Sequence, residues 1–491
     1  MLHCNLHRWS LTSSLAIGLV LLTIVPPAMA QTAAPLVAES LIRSLNPHLS
    51  DQDPRQLAMK IKTLRSDEHA FFRGAADVFY SWCARHTKDW TQDRDSFVLI
   101  HGDVHLGNIG TRRCIVDGAP TLTFGLVDLD EAAAGPFQLD LLRGAVSLRI
   151  AFRETGGVLD SVSWRHCVER LRAGYREALE GHVCAEQLAG LHPAVERLLA
   201  EASKDTIQKH AKKYADLDAR RFKPVREKKG VVSDLMEPVN TSERSAVVRA
   251  LHEARSIDGS PLYRELGLVS REAMASTVAD VARWTRLGSA GSQGLEKFLV
   301  LLDSTVLGND VPLIVELKRQ PVPAVVRSGL LADGKSEPLR AQEVAAAHIA
   351  LWPGRPYLTG WGSIASKGYL VRAKGPWSEE LSADDFEGPS GINEAATLMG
   401  RVIGQAHRGS LLSSRSNATP SAESKRENET VDLRIRGIVD RLTSATEDIE
   451  RLGLLADAYL HANFEVLRSS RDATQLSDSA EAFIQRITEN R

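Results

Sequence analysis

Residues 97–100 read Phe-Val-Leu-Ile, and this apolar run breaks directly into His101, Gly102, Asp103, Val104, His105, Leu106, Gly107 and Asn108. A short apolar run stopped by Gly, Asp and Asn reads as a strand that hands over to a polar loop. Two further runs, residues 109–116 and 121–127, flank Asp117-Gly118, a dipeptide suited to a tight hairpin. Asp128, Leu129, Asp130 and Glu131 follow the second run. Two acidic loops are therefore presented at strand ends, where they can meet in one cleft.

An acidic residue and an amide five positions apart, Asp103 and Asn108, joined after the hairpin by Asp128, can set three oxygen ligands around one cavity. Hard divalent cations prefer such oxygen donors, and a carboxylate left unligated can orient or deprotonate a hydroxyl. An ordinary turn rich in Asp, Asn and Gly is the bland alternative. Farther on, Gly288, Gly291 and Gly294, with Ser292 among them, form a loop between two apolar runs. Backbone amides can approach phosphate oxygens closely where no side chain intervenes. Lys318 closes the next apolar run and could meet those phosphates, while Glu343 lies on the helical stretch that follows. A solvated surface charge is the plain alternative for each of these two. His101, Asp103 and His105 alternate, so on an extended strand they would share one face and could chelate zinc in a metal-dependent hydrolase. The glycines at 102 and 107 favour a loop instead.

HGDVHLGNIG with VDLDEAAAGPFQLDLLR resembles the phosphate-transfer core of aminoglycoside phosphotransferases and other protein-kinase-like enzymes. The order FFRGAA (residues 71–76), GDVHLGNIG, DLDE, GPFQLDLLR and DVARWTRLGSAGSQG resembles the bacterial family called domain of unknown function 2252, from about residue 50 to 465. The resemblance implies a two-lobed, helix-rich α+β fold of the protein-kinase type. It implies a circularly permuted one, because the glycine loop and lysine follow the catalytic segment. It also implies a phosphotransferase that uses ATP or another nucleoside triphosphate with Mg2+ and acts on a hydroxyl-bearing substrate. Asp103 would accept or orient the hydroxyl proton, Asn108 and Asp128 would bind magnesium, and Asp130 would be a competing or second ligand, since Asp-Leu-Asp stands where kinases have Asp-Phe-Gly. Gly288, Gly291, Ser292, Gly294 and Lys318 would hold the nucleotide, with Glu343 holding Lys318. Asp140 matches a structural aspartate of that family, a helix cap being the simpler role. A nucleotide-binding module without turnover is the alternative from the same resemblance.

The 491 residues are 43% apolar and carry 60 Lys and Arg against 62 Asp and Glu, a formal net charge of −2. This balance gives no reason to expect nucleic acid as a partner. Residues 15–25 are apolar and lead to Ala28-Met29-Ala30, so residues 1–30 read as a signal peptide and the mature chain as exported, periplasmic or secreted, with no later membrane span. Nucleoside triphosphate is scarce outside the bacterial cytoplasm, so export and nucleotide chemistry pull against each other. Cys83, Cys114, Cys167 and Cys184 would then meet an oxidising compartment, paired or buried as thiols. The expected organisation is a helix-rich lobe over 31–270, a sheet-containing lobe over 271–375 and a helical region over 376–491. Residues 222–245 read as a mobile insertion and 413–430 as a polar linker. In residues 162–179, Trp164, Cys167, Val168, Leu171, Tyr175 and Leu179 recur at helical spacing and predict a core-facing stripe.

Overall fold

A computed structural model of the chain describes residues 54–489 together with 36 and 41–42, apart from short stretches of which 304–311 and 414–421 are the longest. The expected signal peptide lies outside the described residues, as do Cys184 and Gly288. Three helices, α1 (Pro54–Leu64), α2 (Glu68–Gly74) and α3 (Ala76–His86), precede β1 (Phe97–Ile100), the hairpin β2 (Ile109–Val116) and β3 (Ala119–Leu126), and β4 (Ala133–Pro136). Then come α4 (Gln138–Glu154), α5 (Ser161–Leu179), α6 (Pro193–Lys204) and α7 (Ile207–Tyr214). The predicted stripe on α5 is buried throughout. The thiols of Cys83, Cys114 and Cys167 are free and buried, which is the packing alternative to a disulfide.

The sheet begins earlier than residue 271. β5 (Val225–Lys228) and β6 (Val231–Pro238) lie inside the stretch expected to be a mobile insertion, and β6 pairs with the later β8. That stretch lacks a clear period because its burial comes from a distant strand and not from its own repeat. After α8 (Thr241–Glu253), β7 (Arg255–Ser256) and α9 (Arg271–Thr277), the chain runs through β8 (Val278–Arg286), β9 (Lys297–Leu302) and β10 (Leu313–Arg319). It continues with α10 (Glu337–Ala350), β11 (Thr359–Ile364) and β12 (Lys367–Lys374). These strands make one antiparallel sheet in the order β5-β6-β8-β9-β10-β12-β11-β7. The fold is mixed α+β with antiparallel sheets.

Alternation along β10 decides which residues reach the cleft. Leu313, Val315 and Leu317 join an apolar cluster on one side of the sheet, while Ile314 joins another on the opposite side. Glu316 and Lys318 share the side of Ile314, because strand side chains repeat every two residues. The chain ends in α11 (Gly391–Ser413), α12 (Ala422–Ser469) and α13 (Arg471–Glu489). Residues 422–430 thus belong to a 48-residue helix, a correction to the expected linker. A polar composition is compatible with helix as well as with loop, so composition alone does not separate the two. α5 and α11 cross closely, since a Cβ at Gly174 would meet the Thr397 carbonyl at 2.2 Å and one at Gly400 the Leu171 carbonyl at 2.1 Å. Among the described residues no helix is long and apolar enough to cross a membrane.

Candidate functional site

The loop after β1 is held from beneath by one buried carboxylate. Asp140, in the first turn of α4, accepts from the backbone N–H of His101 at 2.6 Å and of Gly102 at 2.9 Å. His407 Nε2 donates to it at 3.0 Å, and the Tyr175 hydroxyl donates to His407 Nδ1 at 3.0 Å. Burial works to raise the Asp140 carboxyl, but the hydrogen bonds from His407 and from the His101 backbone N–H outweigh it and hold the group below its usual range. Asp140 therefore fixes the loop and faces away from the cleft. Gly102 has φ +79°, and a Cβ there would stand 2.2 Å from the Glu131 carbonyl, so only glycine lets the two acidic loops touch.

His101 accepts the Asp103 N–H on Nδ1 at 3.0 Å and donates from Nε2 to the Val127 carbonyl at 2.8 Å. Neither nitrogen is left for a metal. His105 is buried, and burial together with Arg73 keeps its imidazole well below its usual pKa. Arg143 of α4 grips Asp103 Oδ1 with Nε at 2.9 Å and with Nη2, and its guanidinium lies 4.3 Å from the Phe72 ring centre. Asn108 Nδ2 donates to the Asp103 carbonyl at 2.9 Å and approaches Oδ2 at 3.4 Å. Oδ2 has only this long contact and His105 Nε2 at 3.8 Å, so it is the less engaged of the two oxygens and the one a hydroxyl could reach. No motif in the sequence assigns Arg143 a role, although it stands one helical turn beyond Asp140 and so shares its face.

Asp128 follows β3 in a left-handed conformation at φ 57°, which Asp tolerates better than most residues. Lys318, 3% exposed, donates to Asp128 Oδ1 at 2.8 Å and pairs with Asp130. Burial would raise the Asp128 carboxyl, but Lys318 and Arg372 hold it well below the usual carboxylate range. Asp130 moves the other way, raised by burial and by the charge of Asp128. Gln320 donates to Asp130 Oδ1 at 2.9 Å, and Arg340 reaches the carbonyls of Asp130 and Ala132. Arg372 pairs with Glu316 at 2.9 Å.

Glu343 does not hold Lys318; it pairs with Lys335 and, at 3.4 Å, with Arg340. The buried Arg340 takes the side of α10 turned to the acidic loop, and Lys318 finds its counter-charges in Asp128 and Asp130. Gly291 and Ser292 line a cavity of about 60 Å3 with Asp103, Asp128 and Asp130. They also line one of about 320 Å3 with Asp103, Asn108 and Asp128. Gly294, at φ +89°, forms the turn before β9 without lining either. Lys297 donates to the Ser292 hydroxyl at 3.0 Å. A third cavity, about 580 Å3, meets the others at Asp128 and is walled by Trp284, Arg372, Lys374, Trp377 and Glu380.

Among the described residues no three His, Cys, Asp or Glu side chains gather into a metal-binding group, so neither a zinc cluster nor an all-protein cage is built. Magnesium asks for less, since it is held by one or two carboxylates with phosphates and water completing its shell. Asp128 and the amide oxygen of Asn108, whose nitrogen is committed to Asp103, are donors of that kind.

These features define an α+β protein whose antiparallel sheet closes over an acidic two-loop site. The model of a bacterial family described as "Uncharacterized protein conserved in bacteria", DUF2252, matches residues 52–445, and the chain belongs to that family. No curated protein and no solved structure matches the chain.

Proposed function

We propose that the protein is a kinase-like phosphotransferase of permuted order, moving a phosphoryl group from a magnesium nucleotide to a hydroxyl. The observation that carries this reading is the meeting of Asp103 and Asp128, drawn from two loops, on the walls of the 60 Å3 and 320 Å3 cavities, with Lys318 of the distant sheet bonded to Asp128 at 2.8 Å. A glycine turn between β8 and β9, a lysine ending β10, a helix, and a strand running into the wall of the 580 Å3 cavity also follow the order expected of a nucleotide-binding lobe, although Gly291 and Ser292 line the two smaller cavities and not that one.

In this reading the nucleotide occupies the 580 Å3 cavity with its phosphates toward Asp128 and Lys318. Magnesium would be held by Asp128 and Asn108 and would neutralise charge on the transferring group. Lys318, now neutralised by two carboxylates, has an ammonium to offer the phosphates. Asp103 orients the acceptor hydroxyl through Oδ2 and takes its proton, while Arg143 prevents the carboxylate from turning. Asp103→Ala is expected to lower transfer by roughly 10²–10⁴-fold. Radiolabelled phosphate transfer or nucleotide hydrolysis checks it, and unchanged turnover removes Asp103 from the mechanism.

The grip of Arg143 on Asp103 favours a second reading, a module that binds nucleotide without transfer. A magnesium-dependent rise in melting temperature with nucleotide, combined with no turnover in any acceptor screen, would select it.

A further inference from the structure

The 60 Å3 cavity beside Asp103 contains more charge than the proposed phosphoryl transfer uses. Asp103 is taken by Arg143, and Asp128 and Asp130 by Lys318. Asp77 is taken by Arg327 through two contacts of 2.7 Å. Glu131 accepts from the Ala324 N–H and lies 3.8 Å from Arg327. Two cations of the lining remain, Lys60 and Arg73. Among the described residues neither side chain makes an ion pair or a hydrogen bond.

Lys60 is 5% exposed on the packed face of α1. A buried ammonium without a partner is costly, and burial brings this one down to about 8 in spite of the carboxylate of Asp77. Arg73 ends α2 and spreads its guanidinium over Gly107, where a Cβ would stand 3.2 Å from it. Its planar fork suits two-point contact with a carboxylate or phosphate. Arg73 also lines the 320 Å3 cavity with Asp103 and Asn108, whereas neither cation lines the 580 Å3 cavity on the other side of Asp128.

We infer that Lys60 and Arg73 form a subsite for an anionic group, phosphate or carboxylate, carried by the hydroxyl compound that Asp103 orients. The inference rests on the phosphotransfer reading for its second half only. The smaller cavity holds several times the ~10–15 Å3 that one water needs, room for such a group but not for a whole sugar or nucleotide. The rest of the compound extends into the 320 Å3 cavity, within reach of Asp103. The substrate class is therefore a small hydroxylated phosphate or hydroxy acid, and the donor's phosphates lie on the opposite side of Asp128.

The test uses the full chain with inorganic phosphate and, separately, acetate as probes, at constant ionic strength. Melting temperatures are read with and without saturating magnesium and a non-hydrolysable ATP analogue. Phosphate is expected to raise the melting temperature in both conditions, and Lys60→Met to weaken phosphate binding by about 10–100-fold while leaving the analogue's effect in place. Arg73→Gln, at a partly exposed site, gives the same readout should Lys60→Met fail to fold. Phosphate protection that is unchanged in both variants, or absent in the wild type, overturns the subsite. Protection that disappears when the analogue is bound assigns the cations to the donor's phosphates and overturns the acceptor assignment. Lys60-dependent phosphate binding in a protein that never binds the analogue keeps the anion subsite and removes the phosphotransfer reading.

Discussion

Arg143→Met tests the physical basis of the site, because it removes a buried cation and leaves its partner in place. Arg143 is fully buried, holds Asp103 through Nε and Nη2, donates to the Phe72 carbonyl at 3.2 Å and lies over the rings of Phe72, Phe79 and Tyr80. Methionine keeps much of the volume, so packing loss is small beside the electrostatic change. The Asp103 side chain is 14% exposed and would lose its counter-charge, for which buried pairs show a cost of about 3–5 kcal/mol. Against a total stability of about 5–15 kcal/mol, this is a large share. Urea unfolding, followed by tryptophan fluorescence and helical circular dichroism together, measures it and tests for a single transition. Asp103→Asn in the same background removes the stranded charge, so the double variant should recover at least about 1–2 kcal/mol of the loss. A cost below about 1 kcal/mol, or strict additivity of the two changes, would refute the reasoning that Arg143 and Asp103 act as one buried pair.

Gly102→Ala combines a strained φ with a Cβ pressed against the Glu131 carbonyl, and about 2–4 kcal/mol of destabilisation is expected in the same urea assay; wild-type stability would mean that the two acidic loops do not touch. The Lys318–Asp128 pair gives a pH signature. Asp128 is depressed on folding, so its contribution is present above the unfolded value of about 3.9 and is lost as pH falls through the folded one. Lys318 is raised, so its contribution is complete below about 10.4 and is lost as pH rises through the folded value. Lys318→Met should therefore reduce stability between about pH 4 and 10 and flatten both limbs of the profile, and a stability difference independent of pH would count against the pair.

Much of the local structure was legible because it rests on neighbours in sequence. Asp117-Gly118 makes the turn between β2 and β3, and the α5 stripe from Trp164 to Leu179 is buried as its period requires. Alternation along β10 also set the side of Lys318 relative to Leu317. Composition alone failed where pairing partners are distant: 225–228 and 231–238, inside the 222–245 stretch, are strands because β8 lies beside β6, and 422–430 are helix as part of a long α12.

The sequence by itself determined which groups stand at strand ends and in which order: Asp103, Asn108, Asp128 and Lys318. Only the tertiary structure decided how their charges pair. Arg143 reaches Asp103, Lys318 reaches Asp128 and Asp130, Glu343 turns to Lys335, and Lys60 and Arg73 remain over. Charge pairing carries no period along a chain. It depends on distance and burial in the folded state, where a few ångströms and the loss of water determine which cation neutralises which carboxylate.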